Sequence, residues 1–247
     1  MTPVAHGGQA LGTVLPSQNT AAGNLAGVVI VIDPGHNPGN SRHPSEIDRP
    51  VPFGEGLKPC DTTGTATNDG YAEAVYTLDV ADRVAALLRK AGAKVSLTHT
   101  ATSPAWGPCI TERAALGNRL HAAAAVSIHA DGGPASGRGF STIIPASPIP
   151  AVGLTSAMVA ADLALALDVR KTYASATGMP YSSYLGSRAV YRSNAYGGTN
   201  LSHVPKIFIE TGNMRNGADA TLLQSAAFRQ RAARGIANGI ALFVSRR

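Results

Sequence analysis

The sequence predicts a single α/β domain, with a mostly parallel twisted sheet of about six strands and helices on both faces. Three observations carry that reading. Short β-branched or apolar runs at Val28–Ile32, Ala124–Ile128 and Val204–Ile209 read as buried strands. Helical stretches alternate with them, as the crossovers of a parallel sheet require. Each run also leads into side chains that can bind a metal or move a proton: Asp33–Pro34–Gly35–His36, His129–Ala130–Asp131 and Glu210–Thr211–Gly212. Ligands bind outside the carboxyl ends of strands in such sheets, so parallel neighbours would gather two histidines and a carboxylate at one edge.

The elements follow in order. After the first strand, residues 37–70 are rich in Pro, Gly and Thr and read as a long loop insertion, a length that suggests a functional or lid-like segment. Tyr71 to Ala91 reads as a helix. Val75, Leu78, Ala81, Ala85 and Leu88 form one apolar stripe, Tyr76, Val80, Val84 and Leu87 a second, and Gly92 is the stop. Lys94–His99 is the next strand, and Thr111 is expected to cap a helix to about residue 123. The strand ending at His129 follows, then a strand at Gly139–Ile144 and an Ala/Leu helix over 153–172. A Gly/Ser/Tyr-rich segment leads into a strand at Ser187–Arg192. Beyond the strand ending at Glu210, Asp219 is expected to cap a last helix to about Val244, burying Leu222, Leu223, Ala226, Ile236 and Ile240.

Composition narrows the function classes. Hydrophobic content of 44% is that of a globular chain, and with 5% aromatics Ala, Val, Ile and Leu must fill the core. No apolar run approaches the roughly 18 residues of a membrane span. The net charge of +6 points to an anionic partner such as a wall polymer. The arginines are scattered and no basic helix is interleaved with aromatics, which argues against nucleic acid. Cys60 and Cys109 lie in no CxxC pair, so they are either free and buried or joined as a disulfide in an oxidising compartment; we expect the disulfide, with export following from it. Residues 1–25 lack the charged and apolar regions of a signal peptide and read as a disordered leader remnant, ahead of a folded domain over 26–247.

His36, Glu73 and His129 make a His₂Glu set, a usual protein complement for catalytic Zn²⁺ with one open position. Glu73 falls in the first turn of its helix, where the helix dipole favours a carboxylate. Glu210 is expected to stand beside the metal without ligating it, as general base and then general acid. The chain has only five glutamates, and two fall in this pattern.

Four segments occur in one order: Val-Ile-Asp-Pro-Gly-His at 31–36, the Glu73 helix running into Ala-Gly-Ala-Lys-Val-Ser-Leu-Thr at 91–98, Ser-Ile-His-Ala-Asp at 127–131, and Ile-Glu-Thr-Gly-Asn-Met-Arg-Asn at 209–216. Together they resemble the zinc-dependent N-acetylmuramoyl-L-alanine amidases, the amidase-3 family of peptidoglycan hydrolases, over about residues 28–245. The resemblance implies a zinc amidase domain over 26–247 with His36, Glu73 and His129 as ligands and Glu210 as the catalytic glutamate. The implied reaction is hydrolysis of the amide between N-acetylmuramic acid and L-alanine of the stem peptide. Peptidoglycan is then the partner, the cell wall, periplasm or exterior is the location, and a monomer is expected. The insertion carrying Cys60 departs from the family's shorter path to the glutamate. No plug helix is evident, since 153–172 fits an ordinary crossover, so the 37–70 loop is the candidate lid over an otherwise open site. Asn213 and Asn216 match positions after the family glutamate, where they either touch substrate or cap a turn. Two other readings remain at this point: a zinc carboxypeptidase-like enzyme acting on other peptides, and a wall-binding module without catalysis.

Overall fold

The structure, a computed structural model, describes residues 24–247. In chain order its elements are β1 (Val29–Pro34), α1 (Pro44–Ile47), β2 (Pro50–Pro52), β3 (Leu57–Pro59), α2 (Glu73–Lys90), β4 (Lys94–Leu97), α3 (Ile110–Arg119), β5 (Ala124–Asp131), β6 (Ser141–Ile144), α4 (Ser156–Thr177), β7 (Val190–Arg192), α5 (Gly197–Asn200), β8 (Lys206–Asn213), α6 (Gly217–Gln224) and α7 (Ala226–Val244). Six strands form one sheet in the order β4-β1-β5-β8-β6-β7. β4, β1, β5 and β8 run parallel, while β6 pairs antiparallel with β8 and carries β7 parallel to itself at the edge.

The two faces of the sheet differ, and strand alternation decides which residues see which. Ile30, Ile32, Val126, Ile128, Ile207 and Ile209 point into the main core, against α2, α4 and α7. Val31 and Ala125 point the other way, into a small cluster with Leu116 of α3. On that second face α3 covers only the start of the strands. Farther along them the same alternation delivers Asp33, Ser127, His129 and Phe208 to the wall of an open pocket of about 290 Å³. The fold thus leaves the carboxyl-terminal part of one sheet face uncovered by α3, where Asp33, Ser127 and His129 line the pocket beside Phe208.

Several expected boundaries shift. Leu25, read as leader, is buried and its N–H donates to the Ala91 carbonyl, so the folded domain takes in at least this residue; residues 1–23 of the expected leader lie outside the described residues. The 37–70 segment holds α1 and the β2–β3 hairpin, short pieces that prolines disguise in sequence. Cys109, not Thr111, is the N-cap of α3, in a capping box with Glu112. The Ala/Leu helix runs on to Thr177, where Gly178 at φ +70° ends it. Val75 is exposed, leaving Tyr76, Val80 and Val84 to bury that part of α2. The last helix is two, broken at Ser225, whose backbone is extended and whose side chain caps α7 by accepting from Phe228 N. Asn216 caps α6 with its side chain, and Asp219 is buried instead, accepting hydrogen bonds from Gly139 N and Asn213 N.

Cys60 and Cys109 are joined in a disulfide that ties the end of the β2–β3 hairpin to the start of α3, within a small cluster of Val51, Trp106 and Ile110. The bridge closes a loop across 49 positions. Replacing both cysteines with serine is expected to lower the unfolding free energy by about 4 kcal/mol on the chain-entropy estimate. Urea unfolding measures it; an unchanged midpoint would show that the hairpin is held without the bridge.

Candidate metal centre and active site

The end of β1 builds the first corner of the site. Gly35 N–H still pairs with the Ile128 carbonyl at 2.9 Å, which keeps the chain pressed against β5. A Cβ at Gly35 would lie 2.2 Å from His129 Cε1, so only glycine lets the His129 ring pass here. The next residue, His36, takes φ +59°, turning its ring inward. The Thr62 carbonyl accepts from His36 Nδ1 at 3.0 Å, which leaves the Nε2 lone pair free. Gly35→Ala is accordingly expected to displace His129 and to weaken metal binding by at least about tenfold. Competition with a colorimetric chelator reads this directly, and wild-type affinity would refute the tight fit.

Glu73 opens α2 and is buried. Its Oε2 lies 3.1 Å from His36 Nε2, and its Oε1 lies 2.9 Å from His129 Nδ1. Backbone N–H groups of Thr65 and Ala130 donate to the same carboxylate at 2.9 and 3.2 Å. Gly64, at φ +77°, brings this loop so close that a Cβ would meet His36 and Glu73 within 3 Å. Burial alone would raise the Glu73 pKa, but the charges and hydrogen bonds of the two imidazoles, His36 and His129, hold it well below the ordinary carboxylate range. The rings of His36 and His129 stand edge to face at 4.8 Å, and His129 stacks on Phe208 at 3.8 Å.

The donor atoms of His36, Glu73 and His129 all lie within 4.8 Å of one another. Among the described residues, no lysine or arginine pairs with Glu73. A buried carboxylate facing two imidazoles, with its remaining charge uncompensated when both rings are neutral, fits a divalent cation well.

Glu210 sits directly across the ladder from His129. It is buried, and its Oε2 has no hydrogen-bond partner among the described residues. Burial, and then the nearby carboxylates of Glu73 and Asp131, raise its pKa well above the ordinary value. A carboxyl group so placed holds a proton more readily than an exposed one. Glu210 is not the end of its strand, as expected from sequence. β8 continues through a bulge, so that Asp131 pairs with Asn213. Thr211 Oγ1 donates to the His129 carbonyl at 2.6 Å, and the buried Tyr173 hydroxyl reaches through from α4 to donate to the Thr211 carbonyl at 2.7 Å. The bulge therefore fixes His129 and Glu210 relative to one another. Asn213 and Asn216 hold turns: Asn213 donates to Pro134 O and Gly137 O, and Asn216 donates to Ala135 O.

A buried charge network behind the histidines escaped the sequence reading. Arg113 donates to Asp33 and Asp61, both at 2.8 Å, and to the Pro34 and His36 carbonyls at 2.6 and 3.0 Å. Lys206, almost wholly buried, reaches Asp33 at 3.1 Å. Burial by itself would raise the Asp33 pKa, yet Lys206 and Arg113 hold it well below the usual range. The signal for Lys206 was present: it shares the period-two face of Phe208 and Glu210 within an apolar run, and a buried lysine needs a carboxylate. Arg113 carried none, being one of several scattered arginines.

Known proteins with this arrangement can now be compared. A family model described as Amidase_3, N-acetylmuramoyl-L-alanine amidase, matches residues 30–242. The chain is 38% identical over 233 residues to N-acetylmuramoyl-L-alanine amidase Rv3717 of Mycobacterium tuberculosis, a match covering 94% of this chain and 92% of that protein. The crystal structure of the N-acetylmuramyl-L-alanine amidase Ami1 of Mycobacterium smegmatis superimposes with a TM-score of 0.83 at 38% identity, covering 91% of this chain and 100% of that one. The apo form of Ami1 from Mycobacterium abscessus gives 0.78 at 36%, covering 88% and 99%. The His-Glu-His group, the sheet that presents it and this breadth of likeness agree: the chain belongs to the amidase-3 family of N-acetylmuramoyl-L-alanine amidases.

Proposed function

We propose that this chain is a zinc-dependent peptidoglycan amidase that hydrolyses the amide between N-acetylmuramic acid and L-alanine of the stem peptide. The observation that carries the reading is Glu210, a buried carboxyl with a free oxygen, across the ladder from one member of a His₂Glu donor set. His36, Glu73 and His129 hold the metal. Zinc bound there supplies a Lewis acid that polarises the scissile carbonyl and acidifies the attacking water. Glu210 takes the proton from that water and returns it to the leaving amine of L-alanine. His36 is kept in the tautomer that exposes Nε2 by the Thr62 carbonyl, and Phe208 fixes the plane of the His129 ring. The net charge of +6 favours retention on an anionic wall, which suits an enzyme working in the wall or periplasm.

Mass spectrometry of wall digests, with and without chelator, tests the proposal. Intact glycan with free stem peptides beginning in L-alanine is expected, with the release abolished by chelation and restored by zinc. New reducing sugar ends without free L-alanine amino termini would overturn it. Cleavage of peptides lacking the muramoyl group would point to a peptidase, and wall binding without any release to a binding module. Glu210 argues against the last, because a purely structural metal site needs no proton carrier.

A further inference from the structure

The pocket beside the histidines has a charge balance of its own. Its floor and one wall are apolar, with Phe208, Ile110 and Pro59 facing it. The acids that line it, Asp33 and Asp61, are both engaged by Arg113, and Asp33 also by Lys206. Those four groups compensate one another. Lys58 is left, on β3 of the hairpin. Its Nζ donates to the Ala195 carbonyl at 2.5 Å and lies 5.1 Å from the centre of the Phe53 ring. Among the described residues no carboxylate lies within salt-bridge distance of it. An ammonium has three donors, and one is used. Its two fixed contacts also hold the side chain in place beforehand, which lowers the ordering cost of gripping a ligand.

We propose that Lys58 is a specificity-determining residue that binds a carboxylate of the stem peptide on the residue following L-alanine. This rests on the amidase reading above. The chemistry of that substrate offers, as the first charge beyond L-alanine, an anionic partner for an uncompensated cation in the pocket that His36 and His129 also line. N-acetylmuramic acid loses its only carboxyl charge when the amide forms, whereas a second stem residue that is a glutamate joined onward through its γ-carboxyl keeps a free α-carboxylate unless it is amidated. The apolar wall accepts the L-alanine methyl group, and Lys58 then meets the next charge along the peptide. A carboxamide at that position offers no charge to pair with it.

The test compares two N-acetylmuramoyl tripeptides whose second residue is a glutamate joined to the third through its γ-carboxyl, differing only in whether the α-carboxyl of that glutamate is free or amidated. The zinc-loaded full chain is expected to cleave the free acid with about tenfold higher kcat/KM, the scale of one charge-assisted hydrogen bond. In Lys58→Met, which keeps the apolar stem, the ratio between the two substrates falls to near one; in Lys58→Arg the preference persists. Equal rates on both substrates by the unmodified protein, or a loss in Lys58→Met that is the same for both, would overturn the assignment. If the unmodified, metal-loaded protein releases no L-alanine amino terminus from either compound, the amidase reading itself fails, a result distinct from loss of preference.

Discussion

Glu210→Gln is expected to bind as much zinc as the unmodified protein and to lose about 10²–10⁴-fold in turnover, the range associated with one positioned proton carrier. The amide is nearly isosteric and keeps the place of Glu210 opposite His129, but it cannot accept the proton. Because Glu210 stands outside the group of three donor residues, metal content is the internal control. Elemental analysis alongside release of L-alanine amino termini separates the two roles. A variant with near-normal turnover would remove Glu210 from the mechanism; a variant that lost its metal would make it a ligand.

Arg113→Met is expected to cost about 3–5 kcal/mol of stability, because it leaves two buried carboxylates with their pairing broken. Asp33 retains Lys206, but Asp61 loses its arginine partner, and the carbonyls of Pro34 and His36 each lose the Arg113 donor. Urea unfolding gives the magnitude. Adding Asp33→Asn and Asp61→Asn to the same variant is expected to recover part of the loss, since no unpaired charge then remains. A loss under about 1 kcal/mol, the level of a surface pair, would show that water reaches the network.

What was legible in the sequence follows from how each feature is held. β1, β5 and β8 are flanked on both sides in the sheet, so their residues had to be apolar in runs, and those runs were readable. His36, His129 and Glu210 were then locatable by their place along those strands. Glu73 was different: no strand pattern reaches a helix start, and its place in the site emerged from donor chemistry and family likeness. The hairpin was hidden because Pro50, Pro52 and Pro59 suppress strand propensity, and its two short strands need only each other. The β8 bulge was hidden because its cause is remote, a tyrosine on α4 and a threonine that bonds across to β5. Arg113 was invisible for the same reason, since its acids lie 80 and 52 positions away.

The three consecutive residues Cys60, Asp61 and Thr62 join features described separately above. One is covalently bonded to the head of α3, the next is gripped by Arg113 from the same helix, and the third sets the tautomer of His36. Oxidation state and metal coordination therefore share a single stretch of backbone. Where thiols stay reduced, the hairpin loses its covalent tie one residue from Asp61 and two from the carbonyl that orients a metal-binding imidazole. Reducing the disulfide would thus loosen the backbone that orients His36, a member of the His-Glu-His group, together with the hairpin.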